Sequence, residues 1–168
     1  LFRVKRLFTS ARLFPYWRRF EKNSEALHAL GVPTLKVIES IRLPELDRTA
    51  VHYEPLPGNI LREVPDFDAG LVTRLGAFIK QLHDKGVYLR SMHLGNVVLT
   101  PDGQLGLIDI ADMKVYRGSL RKGLRVRNLH HLWRYEEDRR AIAVHHKVFV
   151  SSFDAGYRDQ ASRMFAPE

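Results

Sequence analysis

LHDKGVYLRSMHLGNVVLTPDGQLGLIDIADM, residues 82–113, has the pattern of a helix end, a tight loop and one small β-hairpin. The hairpin reads as a strand from Asn96 to Thr100, a turn at Pro101-Asp102-Gly103, and a second strand from Gln104 to Ile108 that delivers Asp109. Asn96 and Asp109 therefore sit together at its mouth. An amide oxygen and a carboxylate held side by side are hard ligands of the kind Mg²⁺ takes, with phosphate oxygens completing the set. Asn is disfavoured at the start of a strand, so Asn96 needs a reason; metal binding is one, and capping of the loop by its side chain is the other. Asp109 interrupts the apolar run from Leu105 to Ile110, where a buried carboxylate is costly unless paired or metal-bound.

The 168 residues make one domain's length, and a hydrophobic content of 45% is that of a globular chain. No apolar run is long enough to span a bilayer, and no signal-peptide pattern opens the sequence. Cysteine is absent, which excludes disulfides and thiolate metal sites and is compatible with a reducing cytoplasm. Leu1 rather than Met at the first position reads as a fragment or a processed chain.

The net charge of +8 is concentrated in two places. Arg3, Lys5, Arg6, Arg12, Arg18 and Arg19 fall before Phe20 without an acid among them. Lys114, Arg117, Arg121, Lys122, Arg125, Arg127 and Arg134 do the same between Met113 and Tyr135. Such runs are solvated faces or draw anionic partners. Nucleic acid is disfavoured because the charge is not joined to a recognisable binding motif. Anionic headgroups or a phosphorylated glycolipid fit better.

In chain order, Leu1 to Phe8 is apolar and basic, like the tail of a strand. Leu13, Trp17, Phe20, Leu27 and Leu30 recur at helical steps from Ser10 to Leu30, with Pro15 at a break or start and Gly31 as the stop. Leu35 to Ile41 and Thr49 to Glu54 read as strands joined by a Pro-containing turn. Asp68 is a good N-cap for a helix to Lys85, with Leu71, Leu75, Phe78, Ile79 and Leu82 on one face, His83 near the end and Gly86 as the stop. Glu136, Glu137 and Asp138 open a helix to about Val150, acids where the dipole favours them. A last helix covers Asp154 to Phe165, and Trp133, Phe149, Phe153 and Phe165 are core by default. The pairs His130-His131 and His145-His146 are poor chelators, because adjacent helical residues point about 100° apart.

Leu89-Arg90-Ser91-Met92-His93-Leu94-Gly95-Asn96, followed after the hairpin by Asp109-Ile110-Ala111, resembles the catalytic loop H-R-D-x-x-x-x-N and metal loop D-F-G of the protein-kinase-like superfamily. His93-Leu94-Gly95-Asn96 with Leu107-Ile108-Asp109 is closer to the aminoglycoside phosphotransferase relatives. With the surrounding sequence it resembles the bacterial lipopolysaccharide core (Kdo and heptose) kinases. The likeness is strong over about residues 68–134 and weaker over 10–58.

The resemblance implies an α+β, two-lobed kinase-like fold, with residues 1–57 a truncated N-terminal lobe and 58–168 a mainly helical C-terminal lobe. It implies ATP and Mg²⁺ as cofactors, with Asn96 and Asp109 as metal ligands. Lys5 becomes a candidate for the ATP-positioning lysine, and a helical glutamate should pair with it, although Phe20 stands at the expected place and Glu21 and Glu25 flank it. Glu54 to Leu56 would hold the adenine edge by backbone groups, and Arg90 would pair with a carboxylate or a phosphorylated group. Ser91 stands where the family carries its catalytic Asp, leaving His93 as a replacement base. Arg117, Arg121, Lys122, Arg125 and Arg127 would face an anionic lipopolysaccharide core acceptor, placing the protein in the cytoplasm, peripheral on the inner face of a bacterial inner membrane.

Three functions follow. The first is an ATP-dependent phosphotransferase acting on a core sugar. The second is a catalytically impaired pseudokinase, a nucleotide-binding or scaffold module in envelope glycolipid assembly. The third, a nucleic-acid-associated kinase-like subunit, draws on the basic charge alone.

Overall fold

A computed structural model describes residues 15–153 of the chain. The expected Leu1–Phe8 strand, Leu13, Lys5, and the last helix with Phe165 all lie outside the described residues. The rest is a mixed α/β arrangement of short antiparallel sheets and helices.

Helix α1 (Tyr16–Ala29) begins directly after Pro15, whose fixed φ suits a helix start. It ends where Gly31 takes φ +64°, a left-handed conformation that costs glycine nothing. Strands β1 (Lys36–Leu43) and β2 (Arg48–Glu54) form an antiparallel hairpin around a Pro44–Leu46 turn. Much of this hairpin's apolar surface is open, with Ile38 and Tyr53 about half exposed (55% and 45%).

The remaining elements enclose the core. Strand β3 (Asn59–Ile60) leads into helix α2 (Ala69–Asp84), capped by Asp68 Oδ1, which accepts from the Leu71 amide at 2.7 Å. Then come β4 (Val87–Leu89), β5 (Val97–Leu99), β6 (Leu105–Leu107) and β7 (Met113–Val115). The sheets are β3-β5-β6 and β4-β7. Helices α3 (Lys122–Leu132), α4 (Glu136–Ala143) and α5 (His146–Ser151) follow. One hydrophobic core runs through all of this, from Leu27, Val32 and Leu35 through Leu75, Ile79 and Leu82 to Leu107, Ile142 and Phe149. Residues 33–34 tie the N-terminal part to the hairpin. The Leu107 amide donates to Pro33 O at 2.9 Å, and Thr34 Oγ1 donates to Leu107 O at 2.7 Å.

Four expectations need correction. Asn96 does not begin a strand: it closes a 3-10 turn, Leu94–Asn96, and β5 starts one residue later. The second hairpin strand is likewise shorter than Gln104 to Ile108, because the Thr100 hydroxyl and backbone spend Gln104 on the turn. The helix expected from Glu136 to Val150 is broken into α4 and α5 at Val144-His145. And α1 does not bury a purely apolar stripe: Asn23 and Ser24 are buried beside Leu27, while Trp17, Phe20 and Leu30 are only half-buried.

His83 is fully buried at the end of α2, with Nε2 3.0 Å from Asn128 Oδ1. Burial holds its pKa down to about 4. The unfolded chain therefore takes up a proton near pH 6.5 that the folded chain refuses until about pH 4, so stability falls as pH drops through that window. The loss from this residue is about 3 kcal/mol, at roughly 1.4 kcal/mol per pH unit. Urea unfolding between pH 7.5 and 4 checks this, and His83→Gln, which cannot titrate, should flatten the slope.

Candidate functional site

The site is built on the turn between β4 and β5 and the loop after β6. The hairpin pairs Val97 with Leu107 and Leu99 with Leu105, so the residues before Val97 and after Leu107 leave it at the same end. The Ile108 amide donates to Asn96 O at 3.0 Å and extends that pairing to the mouth. Asn96 is buried, and its Nδ2 donates to Ser91 O at 2.8 Å. That bond orients the amide, and among the described residues no donor reaches Oδ1. Asn96 thus caps the loop with one end and keeps a hard oxygen at the other, so the two readings of this residue are compatible.

Asp109 has φ +52°, an uncommon conformation for a residue with a side chain. It is exposed, which corrects the expectation of a carboxylate sunk in an apolar run; Ile110 and Ala111 take the buried positions instead. Ser91 Oγ donates to Asp109 O at 3.2 Å. Ser91, Asn96 and Asp109 are therefore brought together by three hydrogen bonds. Among the described residues no group of three or more His, Cys, Asp or Glu side chains could hold a metal. A divalent ion at Asn96 and Asp109 would take its remaining ligands from phosphate and water, as Mg²⁺ commonly does.

Helix α1 holds the Asp109 loop from the other side, through residues spaced three and four apart on one face. Tyr16 OH donates to Asp109 Oδ1 at 3.2 Å, and Arg19 pairs with Asp112 at 2.8 Å. Asn23 Nδ2 donates to Ile110 O at 2.7 Å and Met113 O at 3.2 Å. Burial, then the Asp109 charge, pushes the Tyr16 phenol up, which keeps it a donor. Glu21 hydrogen-bonds Ser40, and Glu25 is exposed. Between α1 and β2 lies a cavity of about 520 Å³ lined by Tyr16, Trp17, Phe20, Val51 and Tyr53. Glu54, exposed at the end of β2, follows Tyr53; Leu56 packs its Cδ2 against Gly106 in β6.

From below, the loop is held by Asp138, which is fully buried in α4. Its Oδ2 accepts from the Leu94 amide at 2.9 Å. Both oxygens also face Arg62, at 2.9 Å from Nε and 3.1 Å from a terminal nitrogen. Arg62 bonds Glu137 at 2.8 Å as well and lies over the Tyr135 ring, 5.1 Å from its centroid. His93 packs edge-on to that ring at 5.0 Å. Burial, then the Arg62 charge, holds His93 below the usual imidazole range. Its Nδ1 is enclosed without a partner, and among the described residues it makes no hydrogen bond to Ser91 or Asp109.

Two expectations about acids and cations change here. Asp138 is a buried loop anchor as well as a helix-start acid. Arg125 does not face an acceptor: it is buried, donates to Leu120 O at 2.9 Å and pairs with Asp84 at 2.7 Å. Arg90, by contrast, is exposed directly beside Ser91. Sequence reading missed Tyr16, Asn23, Arg62 and Asp138. The spacing of Tyr16, Arg19 and Asn23 was the one local signal; the Arg62–Asp138 pair spans 76 residues and leaves none.

No family model matches the chain, and no curated protein matches it. Among solved structures it is similar to a divergent kinase lacking the glycine-rich loop, one that regulates membrane ultrastructure of the Toxoplasma parasitophorous vacuole. The identity is 18% and the TM-score 0.40, over 94% of this chain and 55% of that one, so the chain spans about half of that structure's length. An overlap of that quality leaves any kinase reading to rest on the geometry of the site itself. Among the described residues no helix is long and apolar enough to cross a membrane.

Removing Asp138 would leave Arg62 with Glu137 as its carboxylate partner and free the buried Leu94 amide. Asp138→Ala should cost about 1–3 kcal/mol, the usual penalty for leaving a buried donor unsatisfied. In urea melts with hydrogen exchange, the expected pattern is a lowered midpoint together with faster exchange at the Leu94 amide than at amides of α2.

Proposed function

We propose that this protein is a kinase-like phosphotransferase that holds Mg²⁺–ATP between Asn96 and Asp109. The observation that carries the reading is the hairpin mouth: one rigid β-turn unit brings an oriented amide and an exposed carboxylate together, with Ser91 bonded to both loops. The order of elements, with a helix and two strands before the linker and a helix before the loop, supports the same reading.

Each residue then has a role its surroundings suit. Asn96 Oδ1 and the Asp109 carboxylate would hold the ion, which when bound neutralises phosphate charge during transfer. Tyr16 orients Asp109 by its phenol bond. Tyr16, Phe20 and Tyr53 supply aromatic walls for a planar base, with Glu54 and Leu56 offering backbone groups beyond Tyr53. Lys5 remains the proposed phosphate-positioning lysine. The acceptor proposed from the sequence resemblance is a hydroxyl of a lipopolysaccharide core sugar at the inner membrane surface.

The second reading is a pseudokinase, and the observation favouring it is Ser91. Its hydroxyl donates to Asp109 O, so a group that is already a poor base is engaged structurally. His93 is turned to Tyr135 and Arg62. Positioning and charge stabilisation carry most of phosphoryl transfer, so the missing base makes the reaction slow rather than impossible.

Calorimetry with ATP, with and without Mg²⁺, tests the shared part. Binding should require Mg²⁺ and be lost in Asp109→Asn; ATP binding indifferent to both would overturn the site. Restoring a base separates the two readings. With dephosphorylated lipopolysaccharide core as acceptor, Ser91→Asp should raise the transfer rate by about 10²–10⁴ over the native protein. Tight nucleotide binding with no transfer by either form would leave the pseudokinase.

A further inference from the structure

Strand β4 leads straight into Arg90 and Ser91, and helix α3 is fixed to that strand at two points. Asn128 Nδ2 donates to Leu89 O at 2.6 Å, one residue before Arg90. The Tyr88 hydroxyl lies 3.1 Å from His131 Nε2, with the two rings edge-on at 6.1 Å. These contacts set the rotation and height of α3 against the loop. Arg127 and His131 are one helical turn apart on α3 with His130 beside them, and Arg134, in the turn after the helix, donates its amide to His131 O at 3.3 Å.

Through the Tyr88–His131 contact these groups meet the end of β4 that leads into Arg90. Burial first, then repulsion from Arg127, Arg90, Arg134 and His130, holds His131 below the usual imidazole range. Arg90, Arg127, His130 and Arg134 are exposed. Among the described residues, Arg90, Arg127 and Arg134 pair with no carboxylate, whereas Arg19, Arg62 and Arg125 each do. Gathered cations without acids raise the local potential and attract an anion, and guanidinium groups match the oxygens of a phosphate.

We propose that Arg90, Arg127 and Arg134, drawn together around His131, bind a phosphomonoester carried by the acceptor molecule and seat that molecule beside Ser91. The acceptor's part in this rests on the phosphotransferase reading; the anion site stands without it. The acceptor is then already phosphorylated before it arrives, and the hydroxyl it presents lies within its own length of that phosphate.

The probe is inorganic phosphate, titrated at constant ionic strength against a chloride control, with the His131 imidazole resonances followed by NMR and assigned with His131→Gln. The native protein should show a saturable shift that chloride does not produce. Arg127→Ala/Arg134→Ala should weaken it at least about tenfold, as loss of charge-assisted hydrogen bonds implies. Arg127→Lys/Arg134→Lys, which keeps the charge and makes misfolding easy to recognise, should fall between the two. No saturable shift, an equal shift with chloride, or unchanged affinity in the double alanine variant would overturn the site. Phosphate binding that survives Asp109→Asn, while Mg²⁺–ATP binding does not, is expected and distinguishes this site from the nucleotide site.

Discussion

The carboxylate of Asp138 is the constraint on which the loop geometry depends. It is fully buried, and a buried charge is tolerated only when its lone pairs are engaged. Here Arg62 and the Leu94 amide engage them. The same carboxylate therefore joins the turn after β3, the loop that carries Ser91, His93 and Asn96, and helix α4. Without it the 3-10 turn at Leu94–Asn96 would keep its apolar contacts through Leu94 but lose the contact that sets its height. Asn96 reads that height out, because its amide reaches Ser91 O only from a turn held in this place.

On the opposite side, α1 applies the complementary restraint. Its inner face is mixed rather than apolar, since the segment it covers, Ile110 to Met113, exposes backbone carbonyls that must be satisfied. Asn23 meets them, and Tyr16 and Arg19 meet the carboxylates at either end of the turn. The left-handed backbone at Asp109 persists between these restraints. A loop held by a buried anion beneath and a polar helix face above is preorganised, which suits a site that works by positioning charge.

The basic stretch after Met113 is not uniform. Arg125 is a structural cross-link between α3, the turn before it and the end of α2. Arg127 on α3 and Arg134 just after it flank His131, while Arg117, Arg121 and Lys122 are exposed before and at the start of the helix. Net charge treats these residues alike; their places in the fold separate a buried cross-link from exposed cations.

The sequence by itself determined the punctuation of the fold: Asp68 as a cap, Gly31 and Gly86 as stops, the Pro101-Asp102-Gly103 turn, and the placement of Asn96 and Asp109 at the same end of one hairpin. These features depend on neighbours within a few residues, through capping, left-handed backbone and strand alternation, so local chemistry is enough to read them. Tertiary structure alone decided that Asp109 is exposed, that Arg125 is buried, that the helix after Asp138 breaks at Val144, and that Arg62 belongs with a residue 76 positions away. Each of those turns on which groups lose water when distant segments pack together. A carboxylate or guanidinium has no preference for burial until its partner arrives with another part of the chain.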